Sequence, residues 1–179
     1  MQNKEINLCT ICARKGSKGV KNKNLQKIGG ISLLERSIIQ AINSRIFYKI
    51  VITTDSNRVM KLSQKYKIDF IVTRSSKLSN DKASKIDVIK DALLKTEARF
   101  GYKFDNIIDI DLTTPLRKIV DIKKAFKKFK INNFGNLLSV CKAKKSPYFN
   151  ILEVKNKKIK LIKNSKNYKS RQDAPKVYE

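Results

Sequence analysis

Short apolar runs alternate with amphipathic helical stretches along most of this 179-residue chain. Repeated strand–helix alternation predicts a mostly parallel sheet with right-handed crossovers. The run Ile50, Val51 and Ile52 is apolar without interruption, which is typical of a strand covered on both faces. We therefore expect an α/β fold with three α/β/α layers. The predicted strands span residues 6–13, 49–54, 68–72, 106–111 and 137–141, and the predicted helices span residues 33–44, 57–66, 84–100 and 119–129.

Local signals define two further elements. Ser32 is followed three residues later by Glu35, which predicts a capping box at the start of the first helix. From residue 149 onward the alternation stops, and residues 151–154 and 158–162 flank Asn156 and its lysine neighbours as the two strands of a hairpin would. The length fits one core and is too short for two ordinary domains, so we expect one domain over residues 1–179.

The formal charge of +26, from 41 basic and 15 acidic residues, raises the hypothesis of a nucleic-acid partner. The lysines, however, are spread over every segment, and neither an RNP-like aromatic pattern nor a zinc-finger spacing is present. We interpret most of the charge as a solvated lysine surface. A basic nucleic-acid-binding protein remains the alternative function, but we do not expect nucleic acid to be the partner of this chain.

The residue inventory excludes several chemistries. The chain has no histidine and three cysteines, so a Ser-His-Asp triad, a Cys-His pair and a histidine-ligated metal cannot be built from it. Cys9 and Cys12 form a C-x-x-C on a predicted strand, where their odd separation sends the two side chains to opposite faces. We expect both, and Cys141 in the predicted fifth strand, to be small buried hydrophobes.

Targeting and membrane signals are lacking. No apolar run approaches the ~20 residues that span a bilayer. The amino terminus has no signal-peptide apolar region, because the first apolar run has only the length of a strand. The expectation is a cytoplasmic protein without a membrane partner.

Residues 13–24, A-R-K-G-S-K-G-V-K-N-K-N, follow the first predicted strand. A glycine-rich, cation-rich loop at the carboxyl end of a first strand is where an open α/β sheet binds a polyanion. Gly16 and Gly19 permit tight turns, while Arg14, Lys18 and Lys23 supply charge for phosphate oxygens. The spacing matches neither the P-loop nor the dinucleotide fingerprint. The alternative interpretation is an ordinary solvated basic loop.

Asp109 and Asp111 end the fourth predicted strand and share a face because they are two residues apart. Two carboxylates at the carboxyl edge of a sheet could hold Mg²⁺ against phosphate oxygens, since this ion prefers hard oxygen ligands. For Asp109 the alternative is a capped turn before Pro115. From the residues alone both carboxylates are therefore candidate metal ligands.

Taken together, these stretches resemble the acylneuraminate cytidylyltransferases, which make CMP-activated sialic acid and related nine-carbon sugar acids. The basic loop is similar to the opening of that family, and further stretches agree in order and spacing. The tail is similar to the bacterial branch that acts on legionaminic-type acids. The matching stretches are residues 53–55 (T-T-D), Arg74 with residues 78–84 (L-S-N-D-K-A-S), residues 111–117 (D-L-T-T-P-L-R), residues 146–150 (S-P-Y-F-N) and residues 171–178 (R-Q-D-A-P-K-V-Y).

The resemblance implies a nucleotide-diphosphosugar transferase-like (Rossmann-like) fold that transfers CMP from CTP to a nine-carbon α-keto sugar acid and releases pyrophosphate. Positioning and charge neutralisation dominate such chemistry. Arg14, Lys23 and Asp111 are implied to act in catalysis, with Mg²⁺ as the cofactor. The resemblance implies Asp111 as the metal ligand, with Asp109 as the second candidate. Arg117 is expected to anchor its loop. The implied substrate-binding residues are Arg14, Ser17, Lys18 and Lys23 for the triphosphate, Asn24, Arg74, Ala83 and Ser84 for the nucleotide, and Thr113 and Thr114 on the sugar side.

The resemblance also implies a homodimer, with residues 148–169 as an arm that reaches over the partner's site. Family enzymes continue with an Asn-containing strand and an Ile-Asp-x-x-x-Asp-like segment whose aspartates bind metal, and neither follows Glu179. The expectation is a carboxyl-terminally truncated domain, either a fragment or a natural truncation with weakened activity. A catalytically impaired fragment that only binds nucleotide is a further alternative. Glu179 stands where some sialic-acid members have an arginine, and a legionaminic-type acceptor is favoured.

Overall fold

Strands and helices alternate along Met1–Lys128, the first of two units into which the chain divides. The structure is a computed structural model that describes residues 5–17, 19–132, 135–163, 172 and 174–179. The elements that begin in this unit are β1 (Asn7–Cys12), a 3-10 helix (Lys23–Leu25), β2 (Lys27–Ile28), β3 (Ile31–Ser32), α1 (Leu33–Ser44), β4 (Lys49–Thr54), α2 (Asn57–Ser63), β5 (Phe70–Thr73), α3 (Ser76–Ser79), α4 (Lys85–Phe100), β6 (Asn106–Asp109) and α5 (Ile119–Asn132).

The central sheet has four parallel strands in the order β5-β4-β1-β6. β1 lies between β4 and β6, with Leu8 opposite Lys49 on one side and Thr10 opposite Asp109 on the other. The chain builds outward from β1 through β4 to β5 and then returns to add β6 on the far side of β1. This arrangement confirms the predicted parallel sheet and creates a topological switch point beside β1.

Alternate residues of β1 pack into two different cores, one on each face of the sheet. Cys9 and Ile11 pack with Leu34 and Ile38 of α1, in a cluster that also includes side chains of α2 and α5. Leu8, on the opposite face, belongs to a cluster that is flanked by α4. Helices therefore cover both faces, as the uninterrupted apolar strands predict, and the three-layer α/β/α expectation is confirmed.

A capping box starts α1, as predicted. The Ser32 hydroxyl accepts a hydrogen bond from the Glu35 backbone N–H at 3.2 Å, and the Glu35 carboxylate accepts one from the Ser32 backbone N–H at 3.0 Å. The Ser32 hydroxyl also donates to the Glu35 carboxylate at 2.6 Å, and this bond, together with the one from the Ser32 backbone N–H, holds the pKa of Glu35 below its usual range. Within the described ranges, no helix is both long and apolar enough to cross a bilayer.

Cys9 and Cys12 lie on opposite faces of β1, as their spacing predicts. Cys9 is fully buried in the first core, whereas Cys12 is half-buried and its thiol donates a hydrogen bond to Asp109 at 3.4 Å. Burial and the neighbouring Asp109 carboxylate raise the pKa of Cys12 to about 12. The two thiols do not converge, so the C-x-x-C is neither a redox pair nor a zinc half-site.

The second unit, Phe129–Glu179, contains an antiparallel hairpin of β7 (Leu152–Lys155) and β8 (Lys158–Leu161). Asn156 and Lys157 connect the strands, and both have positive φ values, of 52° and 61°. Two consecutive left-handed residues make the tight hairpin turn whose twist matches that of the flanking strands. The predicted hairpin is confirmed.

The predicted fifth strand at residues 137–141 is wrong. That segment is irregular, and Leu138 and Val140 are 73% and 58% exposed. Cys141 is also exposed, so its predicted burial is wrong as well. An apolar run does not itself supply a hydrogen-bonding partner, and here the pairing begins only at Cys141, whose N–H and C=O both bond to Glu179.

Replacing Ser32 by Ala should lower the free energy of unfolding by about 1 kcal/mol, because α1 loses its cap. Glu35 has a depressed pKa, so its contribution is present above its ordinary pKa and is lost as the pH falls through the folded-state value. The difference in the free energy of unfolding between wild type and variant should therefore become smaller at acid pH. Urea unfolding of wild type and variant at pH 7 and at pH 3 measures the loss in the free energy of unfolding and its change with pH. Ser75→Ala is the matched control, since Ser75 precedes α3 without a side-chain cap bond, and an equal loss there would contradict the assignment.

Candidate active site at the carboxyl edge of the sheet

The predicted phosphate-binding loop and the predicted metal ligands follow the carboxyl ends of β1 and β6. Ligands of open α/β sheets bind outside the carboxyl ends of the strands where the strand order reverses. The basic loop, residues 13–24, leaves β1 there, and Asp109 and Asp111 leave β6. The switch point thus lies between a cation-bearing loop and a carboxylate pair.

Backbone and side-chain hydrogen bonds hold the basic loop to the adjacent strand β4. The Ala13 N–H donates to the Thr53 carbonyl at 3.0 Å, and the Lys15 N–H donates to the Asp55 carboxylate at 2.5 Å. Inside the loop, the Asn24 amide donates to the Arg14 carbonyl at 3.0 Å. Asn24, which is predicted to contact the nucleotide, therefore joins the two ends of the loop by a hydrogen bond.

Arg14 links the basic loop to the segment before α4. Its guanidinium forms an ion pair with Asp81 at 2.7 Å, and both side chains remain partly exposed. A cavity of about 360 Å³ opens at this contact, and Ser17 contributes to its wall. Lys18, the other triphosphate candidate in this stretch, lies outside the described residues. The lining residues are Arg14, Lys15, Gly16, Ser17, Ser79, Asn80 and Asp81.

Arg74 is buried at the end of β5, with only 7% of its surface exposed. Its Nη2 donates to the Thr53 carbonyl at 3.0 Å, whereas its buried Nε has no hydrogen-bond partner within the described part of the chain. Burial lowers the pKa of this guanidinium. A buried cation with an unused donor is not an ordinary surface arginine.

Asp109 and Asp111 converge on a lysine that begins α4. The Lys85 ammonium lies 2.7 Å from Asp109 Oδ2 and 2.7 Å from Asp111 Oδ2. The other oxygen of each carboxylate is held by neutral donors. Asp109 Oδ1 accepts from the Thr10 hydroxyl at 2.9 Å and from Cys12, and Asp111 Oδ1 accepts from Thr113.

The surroundings of Asp111 keep it ionised. Partial burial opposes its charge, but hydrogen bonds from Lys85 and from the backbone and hydroxyl of Thr113 outweigh burial, and they hold the pKa of Asp111 well below its usual range. For Lys85, the two carboxylates likewise outweigh burial and raise its pKa. The charged forms of Asp111 and Lys85 are therefore stable together at neutral pH.

The remaining predicted residues have structural partners as well. Thr113 orients Asp111, and Ser84 caps α4 by accepting the Ile86 N–H at 3.2 Å. Arg117 donates to the Asp111 carbonyl at 3.1 Å and to the Gln40 side chain at 2.9 Å, so it anchors the loop as expected. Lys23 begins the 3-10 helix, Ala83 closes a turn with Asn80, and Thr114 is exposed.

A divalent cation fits the carboxylate pair. The Oδ2 atoms of Asp109 and Asp111 converge on one point, and a cation, the Lys85 ammonium, already lies at that point. Among the described residues no group of three or more His, Cys, Asp or Glu side chains could hold a metal. A cation here would therefore take its other ligands from water or from a bound anion.

Three residues of this site were not identified from the sequence. Lys85 bridges the carboxylates, Asp81 pairs with Arg14, and Asp55 fixes the start of the basic loop. For Asp55 and Asp81 the available signal was their place inside stretches that resemble the family, residues 53–55 and 78–84. For Lys85 it was charge, because a lysine in the first turn of a helix opposes the helix dipole and is stabilised by a nearby anion. Contacts of Asp81 and Asp55 depend on tertiary proximity alone.

Comparison with known proteins places these residues in a family. The family model described as cytidylyltransferase matches residues 8–179. The chain is 47% identical over 172 residues to post-translational flagellin modification protein B of Campylobacter coli, covering 96% of this chain and 73% of that protein. It is 46% identical, with the same two coverages, to CMP-N,N'-diacetyllegionaminic acid synthase of Campylobacter jejuni.

Solved structures agree on the fold. The chain superposes on CMP:2-keto-3-deoxy-manno-octonic acid synthetase, solved in complex with CTP, with a TM-score of 0.57 at 19% identity. That match covers 72% of this chain and 49% of the solved one, so the chain spans about half of that protein's length. The family match over nearly the whole chain, together with two relatives above 45% identity, shows that this chain belongs to the cytidylyltransferase family.

Proposed function

We propose that this protein transfers CMP from CTP to a nine-carbon α-keto sugar acid and releases pyrophosphate. The observation that carries the proposal is the pairing of a cation-bearing, glycine-containing loop with two convergent carboxylates across the topological switch point. Membership of the cytidylyltransferase family narrows the nucleotide to a cytidine nucleotide. The reaction type then follows from what such a site can stabilise.

The basic loop has the chemistry to bind the triphosphate. Arg14 and Lys23 supply cations, and Gly16, with φ of +80°, lets the backbone turn between them. Arg14 now pairs with the exposed Asp81, so a phosphate group would exchange one carboxylate partner for a more highly charged one. Ser17 and Lys18 extend the same loop as further triphosphate contacts.

Recognition of the nucleoside is assigned to Arg74 and to the segment that leads into α4. Arg74 is a buried donor that is only partly satisfied, and the backbone near Ala83 and Ser84 follows the tight turn that leads into α4. We propose that these residues, with Asn24, bind the cytidine. An unused buried donor is specific for an acceptor, because a ligand that lacks one leaves the donor unsatisfied.

In the proposed reaction the anomeric hydroxyl of the sugar acid attacks the α-phosphorus of CTP and gives up its proton to water. A new O–P bond forms, and the bond from the α-phosphorus to the oxygen that bridges to the β-phosphate breaks, so that pyrophosphate leaves. Arg14 and Lys23 neutralise the departing pyrophosphate, while Asp111 is held ionised beside the phosphates. Asp111, with Asp109 as the second candidate, would hold Mg²⁺. When bound, this ion supplies Lewis-acid stabilisation of the charge on the phosphates.

The acceptor is assigned to the legionaminic or sialic class of nonulosonic acids. Support comes from the relative whose name states that it makes CMP-N,N'-diacetyllegionaminic acid, at 46% identity. Thr113 and Thr114 are placed on the sugar side of the site. The carboxylate of such an acid would be attracted to a protein with a formal charge of +26.

The cellular setting proposed for this chemistry is the cytoplasm. All three cysteines, Cys9, Cys12 and Cys141, are free thiols, which is in keeping with a reducing compartment. The alternative of a nucleic-acid-binding protein rests on the formal charge of +26 alone.

Arg14→Ala and Lys23→Ala should each weaken CTP binding about tenfold to a hundredfold, since one charge-assisted phosphate contact is worth about 1.5–3 kcal/mol. Arg14 lies in irregular backbone and Lys23 begins a three-residue 3-10 helix with no buried residue, so thermal stability should change little. Isothermal titration of CTP with Mg²⁺ at physiological salt measures the affinity. Lys61→Ala on α2 removes one exposed charge away from the loop and is the matched control. Unchanged affinity in both loop variants would remove the loop from the site.

A pyrophosphate-release assay with CTP, Mg²⁺ and a panel of nonulosonic acids tests the activity itself. We expect release with at least one legionaminic-type or sialic-type acid and none when CTP is replaced by ATP. CTP binding without release on any acceptor would support the alternative of a protein that only binds nucleotide. Salt-sensitive binding of single-stranded DNA, without any effect of CTP, would instead support the nucleic-acid alternative.

We further propose a homodimer in which residues 148–169 form the contact arm, although residues 164–169 lie outside the described part of the chain. The hairpin is amphipathic, since Leu152, Val154 and Ile159 share one face according to the strand register. These three side chains are 57%, 73% and 68% exposed. A two-stranded hairpin is marginal by itself, and an exposed apolar face of this kind favours association with a second copy.

Val154→Lys combined with Ile159→Lys should convert the dimer to a monomer, because both charges lie on the apolar hairpin face. Light scattering at micromolar concentration measures the mass. The matched control is Lys155→Ser with Lys158→Ser, which changes the opposite face of the same strands. A monomeric wild type, or a variant that stays dimeric, would contradict the proposed arm.

A further inference from the structure

Lys85 lies at the meeting point of Asp109 and Asp111. Its ammonium is 2.7 Å from one oxygen of each carboxylate, which is the distance of a strong charge-assisted hydrogen bond. The stem of Lys85 begins at the first residue of α4, directly after the capping Ser84. The lysine side chain is 47% exposed, so it can leave this position without unfolding any element.

The carboxylates are held independently of the lysine. Asp109 is anchored by Thr10 and Cys12 through Oδ1, and Asp111 is anchored by Thr113 through Oδ1. In both groups only Oδ2 turns toward the shared point. The pair of Oδ2 atoms would therefore still converge if Lys85 moved away, and a different cation could replace the ammonium.

We propose that Lys85 is a positioning residue that occupies the cation position between Asp109 and Asp111 and excludes a free divalent ion from it. The proposal rests on the function proposed above, in which that ion accompanies CTP. With the ammonium in place, the pair presents a net single negative charge and no unshared Oδ2 atom. An incoming divalent ion would also meet the ammonium at close range, where repulsion is strong.

Release of Lys85 then requires an anion that can accept it. The triphosphate provides such an anion, so the ion and the nucleotide should enter together, and the displaced ammonium should pair with phosphate oxygens. The metal-binding property is thus predicted to be weak in the free protein and strong in the presence of nucleotide. The weak metal binding of the free protein would be caused by the Lys85 side chain, not by too few carboxylates.

The test is Mn²⁺ binding without nucleotide, measured from the electron paramagnetic resonance signal of the free ion. Lys85→Met, which keeps the stem and removes the charge, should bind Mn²⁺ at least tenfold more tightly than the wild type. Lys85→Arg should resemble the wild type, because it restores the cation. Lys90→Met on α4 removes the same net charge at an exposed position elsewhere on the helix and should have no effect. Lys85→Gln serves if the methionine variant unfolds.

The gain must also require the carboxylates. Adding Asp111→Asn to Lys85→Met should abolish the tighter Mn²⁺ binding. Equal Mn²⁺ affinity in the wild type and Lys85→Met, or a gain that survives Asp111→Asn, would overturn the assignment. CTP titration of the same samples separates the two proposals. Tighter Mn²⁺ binding by Lys85→Met without any CTP binding would contradict the proposed function and support the role of Lys85. CTP binding without a gain in Mn²⁺ affinity would support the function and contradict the role of Lys85.

Discussion

The position of β1 between β4 and β6 determines where everything else in the site can lie. A parallel strand flanked by two others must send its carboxyl end into the gap between the loops that follow its neighbours. The basic loop leaves β1 at that gap, and Asp109 of β6 pairs in register with Thr10 of β1. The loop cations and the carboxylates are therefore brought together by main-chain hydrogen bonds that involve none of their side chains.

Much of this architecture could be predicted because its signals are local. Continuous apolar strands and a capping box at Ser32 and Glu35 depend on neighbouring residues, and the structure has both. The predicted fifth strand had the same apolar signal and is irregular, since a strand also needs a partner that supplies its hydrogen bonds. Where Cys141 pairs with Glu179, that partner comes from the far end of the second unit.

The site shows the same division. Asp109 and Asp111 could be placed at one edge from their spacing on a strand, and the structure turns both toward one point. What that point already contains could not be predicted, because Lys85 lies in a different element and 24 to 26 positions away along the chain. Three predicted ligand-binding residues also make hydrogen bonds within the protein, namely Asn24, Ser84 and Thr113. A sequence motif does not show such internal hydrogen bonds.

Asp81 and Lys85 stand at the two ends of one tight turn, and each carries an ion pair to a different strand end. Asp81 holds Arg14 beside β1, and Lys85 holds the carboxylates beside β6. Two local hydrogen bonds hold this segment: the Asn80 side chain, just before Asp81, accepts the Lys82 N–H, and Ser84 caps the helix. Because the two ion pairs start only four residues apart on one segment, a displacement of that segment would disturb the contacts beside β1 and beside β6 together.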